Sequence, residues 1–477
     1  MIEKYYNGVI EQVAGGIGNV EHNSILVRYS NDFSIWDLES VNHYKDQTDI
    51  FFTCHEFSYN KIAEAYEPYL GLIRQMFHKY CSGTLEEFME ECDVYKLQRP
   101  VFESYFEKGF CERTEQILID EVEYEQERMR NSIVTMLQKL SEIRPVVIVL
   151  NRFQLASKST MQLSNSLLQV KNKNIGIVLG VNDVQSIPEF AHEEWDAICE
   201  SMDDRNMVYH IGNAGRNMEP DVMDYYSDYE SDDGYRKLNN LVYFLDFDQA
   251  DHHLSKIERR IKFDNFTISE KKHYQLLLLQ IMVSVLQRDI AKALESCEDL
   301  EKLQDQEKEG AFYYNFWMAT SYMYLGKLEE AMIYVQKAKE CGEALGDDFL
   351  VFRAELLKAQ NQMSGWCNIF FCAQDIEISD KLIEKLNAYH YKNHLAHIYI
   401  YAYDNKPEIV AKAYRSEAFL IYFSKGVALA KEIGNEQLIS IAYRKNIMIA
   451  STNGEYEVSL LYSIRTYEAM KDVDSVE

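Results

Sequence analysis

The chain has 477 residues, too many for one hydrophobic core, and this length predicts two or three domains. Its formal net charge of −28, from 49 Lys and Arg against 77 Asp and Glu, opposes binding to nucleic-acid phosphates and to anionic membranes. We therefore expect neither as a direct partner. Nine cysteines without a CxxC pair predict free thiols in a reducing cytoplasm and no structural zinc. No signal peptide is expected, and the longest apolar stretch, residues 276–286, is too short to span a bilayer.

The first 140 residues predict two strands and a long helical region. Residues 1–20 are weakly patterned, and GGIGN (15–19) makes a poor phosphate loop because no apolar strand precedes it and no Lys-Ser/Thr pair follows. Strands are predicted at 24–28 (SILVR) and 49–54 (DIFFTC). Helices are predicted at 60–80, with a kink or restart at Pro68, and at 84–140, where 112–140 has apolar residues at helical spacing.

The centre of the chain, residues 144–182, predicts a strand–helix–strand unit. A β-branched run at 146–150 (VVIVL) is typical of a strand buried on both faces, and a second such run lies at 175–181. A helix is predicted between them at 159–170, which makes a right-handed βαβ unit of a parallel sheet. In open sheets of this kind ligands bind at the carboxyl ends of the strands, which are Asn151–Arg152 and 182–183 here.

The following region is acidic and then becomes helical. Residues 219–233 (EPDVMDYYSDYESDD) predict an acidic loop, and 241–247 (LVYFLDF) predict one more strand. From about residue 255 the pattern is helical throughout. We therefore predict three regions: an α/β domain at 1–183, a lid or connecting region at 184–254, and a helical array at 255–477.

The helical array carries the pattern of tetratricopeptide repeats. Residues 311–346 match it with the small residues Ala319, Ala331 and Ala338, the aromatic Tyr322 and the turn residue Gly326. Weaker copies lie at 278–303 and 439–470, and 416–435 is typical of a second repeat helix. An irregular helical bundle is the alternative interpretation.

Joined together, the two halves resemble the AAA-like signal-transduction (STAND) NTPases, in which a nucleotide domain precedes tetratricopeptide repeats. The fold class that this implies is α/β plus all-α: a P-loop-NTPase-like parallel-sheet domain followed by a repeat array. The resemblance implies a phosphate loop at 29–36 (YSNDFSIW), after the 24–28 strand. There Ile35 stands in place of the Lys that neutralises phosphate, and Trp36 in place of the hydroxyl residue that holds magnesium. Tyr29, Asp32 and Ser34 stand where the family has glycines.

The second family motif is also altered. The resemblance implies acidic residues at the end of the 146–150 strand, but Asn151 and Arg152 stand there. Asn182, at the end of the next strand, matches a polar sensor position. We therefore predict a vestigial nucleotide pocket formed by Ser34, Ile35, Trp36, Asn151, Arg152 and Asn182, filled by Ile35 and Trp36, without catalytic residues or cofactor.

Histidines offer the remaining candidate site. His390, His394 and His397 lie at i, i+4 and i+7 of one predicted helix, a spacing that suits a metal, but no carboxylate or Cys shares their helical phase. Aromatic stacking between repeat helices is the favoured interpretation, so no metal is predicted. His252 and His253 are adjacent and point to different faces, which argues against a shared site.

The resemblance, together with the altered motifs, implies a non-catalytic regulator of bacterial signal transduction. Its pseudo-NTPase domain would be a scaffold, and its repeats would bind a protein or peptide or mediate self-association. One alternative is an ATP-dependent STAND switch whose phosphate loop lies elsewhere, with Arg28 or Lys45 as its cation. Another is the sensory half of a longer regulator with an output domain such as a diguanylate cyclase.

Overall fold

The chain forms a parallel-sheet unit and a helical unit. A computed structural model describes residues 2–19, 23–30, 34–45, 49–58, 61–170, 172–182, 187–205, 207–211, 231–263, 266–364, 380–401, 417–452 and 454–470. The sheet unit comprises Met1–Val94, Val101–Glu112 and Glu125–Phe266, and the helical unit comprises Tyr95–Pro100, Arg113–Tyr124 and Thr267–Glu477. This division differs from the predicted boundaries: described residues of 184–254 belong with the sheet, and two short earlier segments belong with the helices.

Five parallel strands form the sheet in the order β2-β3-β4-β1-β5. Their bounds are β1 Asn23–Tyr29, β2 Phe51–Glu56, β3 Val146–Asn151, β4 Ile175–Asn182 and β5 Val208–Ile211. All residues of β3 and β4 are buried, as expected for strands covered on both faces. The order and direction of the strands confirm the predicted P-loop-NTPase-like sheet domain.

Ten helices accompany the sheet among the described residues. They are α1 Ile2–Gly16, α2 Glu39–Lys45, α3 Tyr69–Tyr80, α4 Leu85–Glu91, α5 Arg99–Lys108, α6 Val122–Ile143, α7 Lys158–Gln169, α8 His192–Asp204, α9 Asp232–Tyr243 and α10 Phe247–Phe263. α1 was missed by the sequence analysis. It packs against β1, β3 and β4 through Tyr6, Val9, Ile10 and Val13, whose i, i+3, i+4, i+7 spacing is helical.

Three sequence predictions in this unit are wrong. The strand predicted at 241–247 is instead the end of α9, a turn and the start of α10. Its apolar residues continue a helical stripe that begins at Leu238. The apolar residues therefore repeat every 3.6 residues, as in a helix, and not every second residue, as in a strand. The helix predicted at 60–80 begins only at Tyr69. The helix predicted at 84–140 is broken, and 109–118 are not helical.

The helical unit consists of paired antiparallel helices. Its helices are α11 Glu270–Leu286, α12 Ile290–Glu301, α13 Gly310–Tyr324, α14 Leu328–Leu345, α15 Asp348–Ser364, α16 Asp380–Ala388, α17 Lys392–Tyr401, α18 Glu417–Ile433, α19 Glu436–Thr452 and α20 Tyr456–Met470. Ala319, Ala331 and Ala338 are fully buried between α13 and α14, and Gly326 takes φ +73° at their turn. These positions confirm the tetratricopeptide-like array.

Candidate functional site

The carboxyl edge of the sheet brings together polar residues from four strands. Glu56 of β2 is in register with Asn151 of β3, and Tyr29 of β1 is in register with Asn182 of β4. Since parallel strands all end at the same edge, residues far apart in sequence become neighbours there. This is the edge at which open α/β sheets bind ligands. GGIGN instead comprises the last two residues of α1 and the turn after them, before the amino end of β1 and away from this edge.

Glu56 is the centre of the contacts at this edge. Its Oε2 accepts hydrogen bonds from the backbone N–H of Ile35 at 3.1 Å and from the Ser34 hydroxyl at 3.3 Å. Its Oε1 forms an ion pair with the Arg152 guanidinium at 3.0 Å, and both side chains are largely buried. The sequence analysis identified Ser34, Ile35 and Arg152 but missed Glu56, because a single glutamate at the end of a short strand has no distinctive spacing.

Arg152 reaches this carboxylate from an unusual backbone conformation. It follows the last residue of β3 and takes φ 55° and ψ 42°, in the left-handed region, before a short 3-10 helix, Phe153–Leu155. This conformation costs a non-glycine residue about 1 kcal/mol, so the surrounding contacts must compensate for it. The ion pair with Glu56 is one such contact.

Asn151 and Asn182 are also engaged within the protein. The Tyr29 hydroxyl donates to Asn151 Oδ1 at 2.8 Å, and Asn151 is completely buried. The backbone N–H of Asn182 donates to Gln154 Oε1 at 3.2 Å, and both residues are buried. Asn151 Oδ1 and the Asn182 N–H are therefore satisfied within the protein, whereas the buried Asn151 Nδ2 has no hydrogen-bond partner.

The two apolar loop residues have different environments. Ile35 is fully buried and joins the core on one face of the sheet. Trp36 does not fill the pocket: its side chain is 46% exposed, and the Lys45 ammonium lies 4.6 Å from its ring centroid. Lys45, one of the cations proposed for an alternative phosphate loop, thus makes a cation–π contact at the surface.

Among the described residues of this site, the backbone donor and the cation that a triphosphate would need already have a partner within the chain. A phosphate needs backbone N–H donors and a cation, yet the Ile35 N–H and the Arg152 guanidinium both bind Glu56. The carboxylate would repel a phosphate brought to the same donors. Asp32 and Asp183 lie outside the described residues.

Burial shifts two further pKa values next to this edge. His55, adjacent to Glu56, has its pKa lowered to about 4 by burial and by the charge of Lys61. Glu67 has its pKa raised to about 7 by burial and by the nearby Glu64 carboxylate. The His55 Nε2 and Glu67 Oε1 atoms are 3.6 Å apart, beyond hydrogen-bond distance. Because His55 is neutral at pH 7, the pair has little Coulombic attraction.

The histidine candidates do not form a metal site. His390 lies in the turn before α17, with φ 60°, whereas His394 and His397 on α17 bind Glu115 and Glu121. Across the described residues, no group of three or more His, Cys, Asp or Glu side chains is arranged to hold a metal ion. The sequence analysis missed both glutamates, which are more than 270 residues distant in the chain.

The adjacent histidines His252 and His253 and the acidic loop are the remaining features that the sequence analysis considered. His253 is buried and bonds to Gln249 at 3.0 Å, whereas the His252 ring packs on Phe190 with centroids 5.4 Å apart, so the two do not share a site. Most of the predicted acidic loop, 219–230, lies outside the described residues, and Ser231 caps α9. In the part of the chain that the structure describes, no helix is long and apolar enough to cross a membrane.

Comparison with known proteins yields one similar structure. No family model matches the sequence, and no curated protein matches it. A solved STAND (Signal Transduction ATPase with Numerous Domains) protein with a tetratricopeptide repeat sensor, from Pyrococcus horikoshii, aligns over 94% of this chain and 81% of its own. The two share 13% identity at a TM-score of 0.40, so we draw no functional argument from the alignment. The fold class rests on the strand order and the helix pairs of the chain itself.

Proposed function

We propose that this protein is a non-catalytic regulator in bacterial cytoplasmic signal transduction. Its pseudo-NTPase domain, predicted at 1–183, is a rigid scaffold, and residues 184–254, whose described part belongs with the sheet unit, lead to the repeats. The repeats, residues 255–477, bind a protein or peptide partner and offer a surface for self-association. The vestigial pocket of Ser34, Ile35, Trp36, Asn151, Arg152 and Asn182 performs no hydrolysis.

The contacts of Glu56 are the observation that carries this proposal. A phosphate-binding loop needs its N–H groups and a nearby cation free for the ligand. Here a glutamate of the chain accepts the Ile35 N–H and pairs with Arg152, so it takes the position that an anionic ligand would need. Displacing it would leave a largely buried carboxylate without its partners, which is strongly unfavourable.

The residues at two family positions, Asn151 and Trp36, support the same proposal. Hydrolysis of a triphosphate needs a carboxylate or amide that orients water beside the metal. Asn151, at the matching strand end, is completely buried and binds Tyr29. Trp36, at the position of the metal-binding hydroxyl, has no oxygen to offer.

A thermal-shift titration with Mg-ATP and Mg-ADP tests the proposal. A ligand that binds only the folded state raises the melting temperature with its concentration. We expect a flat response up to millimolar nucleotide and no phosphate release above a no-enzyme blank. A melting temperature that rises and saturates in the micromolar range would overturn the proposal.

Two variants test the role assigned to the Glu56 carboxylate. Glu56→Ala frees the Ile35 N–H and the Arg152 guanidinium, whereas Glu39→Ala removes an exposed carboxylate of α2 and is the matched control. We expect inorganic phosphate to raise the melting temperature of E56A only. Equal responses of E56A and E39A would contradict the blocking role of Glu56.

A further inference from the structure

Residues 113–124 (RTEQILIDEVEY), here called the docked segment, belong to the helical unit although they precede it in sequence by about 150 residues. Their glutamates Glu115 and Glu121 are buried, whereas Glu123 is exposed. Ile119, between the two buried glutamates, is also buried. Buried carboxylates need partners, and those of the docked segment come from the repeat helices.

Glu115 binds the amino-terminal turn of α17. Its Oε1 accepts the backbone N–H of His394 at 2.6 Å and contacts His394 Nδ1 at the same distance, and its Oε2 accepts the backbone N–H of Asn393 at 3.2 Å. The first N–H groups of a helix lack intrahelical acceptors and carry partial positive charge. A carboxylate from the docked segment satisfies both.

Glu121 binds side chains from α17 and from the turn before α19. Asn393 Nδ2 donates to its Oε2 at 2.6 Å, and Asn435 Nδ2 donates to its Oε1 at 2.9 Å. His397 Nε2 lies 2.8 Å from the same Oε1. Asn393 and Asn435 are themselves buried and joined by a hydrogen bond of 2.9 Å, which fixes the direction of both amides.

This surface discriminates a carboxylate from its amide analogue. Both oxygens of Glu115 and both oxygens of Glu121 face donors, so a glutamine at either position would turn an NH₂ group towards an N–H. A site built from buried donors rejects an analogue that leaves them unpaired by several orders of magnitude. The repeats thus present donors that match two carboxylates six residues apart.

We propose that the docked segment occupies a peptide-binding site of the repeats, and that the partner of this site is an acidic segment of another protein. The matching partner has two glutamates six residues apart with an apolar residue between them. This inference rests on the partner-binding role proposed for the repeats and names its ligand class. The partner binds by displacing the docked segment.

Covalent linkage sets the strength of this competition. A segment held on the same chain has an effective concentration in the millimolar range, which lowers the apparent affinity for a competing peptide. Changes that weaken the docked segment raise the apparent affinity for the partner without altering the donors on the repeats. This relation provides a test on the full chain.

The test measures binding of a fluorescent peptide with the sequence of residues 113–124 by fluorescence polarisation. The proteins are full-length wild type, the double variant E115Q/E121Q and the control E123Q. We expect E115Q/E121Q to bind the peptide at least tenfold more tightly than wild type, and E123Q to match wild type. The same peptide with both buried-position glutamates replaced by glutamine should not bind E115Q/E121Q.

A milder variant provides the answer if E115Q/E121Q does not fold. Glu115→Asp keeps the charge but shortens the side chain, and we expect it to bind the native peptide at least threefold more tightly than wild type. Equal affinities of wild type and every folded variant would overturn the inference. A thermal response to Mg-ATP would refute the pseudo-NTPase proposal separately and leave the peptide result unaffected.

Discussion

Replacing Glu121 by glutamine tests how strongly the docked segment holds to the repeats. Burial alone would raise the pKa of Glu121, but the charge of His397 and hydrogen bonds from His397, Asn435 and Asn393 outweigh it and lower the pKa to about 2. The ordinary value is 4.5, and each pKa unit corresponds to about 1.4 kcal/mol, so the ionised carboxylate contributes about 3 kcal/mol to folding. The side chain is almost fully buried, so solvent screening does not reduce this figure much.

The predicted loss appears in urea unfolding at pH 7, followed by circular dichroism and by hydrogen exchange of α17. We expect E121Q to lower the free energy of unfolding by about 3 kcal/mol, because an amide leaves buried donors unpaired. The exposed neighbour Glu123 provides the control, because E123Q should change the free energy of unfolding by less than about 0.5 kcal/mol. If the two variants unfold at the same urea concentration, the contacts of Glu121 do not stabilise the fold.

The same pKa shift predicts a pH dependence with a definite sign. A carboxylate whose pKa is lowered on folding stabilises the protein above the unfolded value and ceases to do so as pH falls through the folded value. The contribution of Glu121 is therefore complete above about pH 4.5 and disappears towards about pH 2. E121Q should lack this part of the acid destabilisation. An unchanged acid profile in E121Q would assign the effect to other groups.

Substitutions at three further positions have outcomes that the structure predicts. Arg152→Ala and Arg152→Gly both lose the ion pair with Glu56, but only glycine adopts φ 55° without strain. In urea unfolding, R152G should therefore be more stable than R152A by about 1 kcal/mol. Equal stabilities of the two variants would show that the backbone of Arg152 is not strained. Gly180→Ala should destabilise the protein by about 1–3 kcal/mol, because the new Cβ would lie 2.2 Å from the Tyr6 hydroxyl. If G180A melts at the same temperature as wild type, β4 can shift to accept the Cβ. Gly71→Ala, in α3 with no atom within 4 Å of the new Cβ, should instead stabilise by about 0.4–1 kcal/mol, and a loss of stability would contradict the open space there.

The sequence predicted the helices and strands whose residues follow a single local pattern. β3 and β4 were predicted to within a residue or two because a β-branched run between polar ends has few other structures. The α13–α14 repeat was predicted because small residues and a turn glycine occupy fixed offsets. In contrast, α1 was missed because Gly8, Gly15 and Gly16 weaken a helical pattern that its apolar face nevertheless maintains.

The candidate site was predicted only in part, because its contacts join segments that are distant in sequence. The vestigial character of the pocket was inferred from Ile35, Trp36 and Arg152, yet the residue that binds two of these, Glu56, was not identified. The search around His394 and His397 was confined to their own helix, whereas their carboxylates come from residues 115 and 121. The spacing of residues in the sequence predicts which side chains are neighbours on one helix or strand. It does not predict contacts between residues that only tertiary folding brings together.

In both proposed sites, a glutamate of the same chain accepts hydrogen bonds from the backbone N–H donors. Glu56 accepts the loop N–H of Ile35, and Glu115 accepts the first N–H groups of α17. An external anion must displace such a glutamate, so weak anions such as free phosphate cannot compete, whereas a peptide with several matched contacts can. Of the two glutamates, Glu56 is also fixed by Arg152, while Glu115 lies on the docked segment, which we propose a competitor displaces. If the proposed peptide site is correct, the repeats rather than the sheet edge are where we expect a partner to bind.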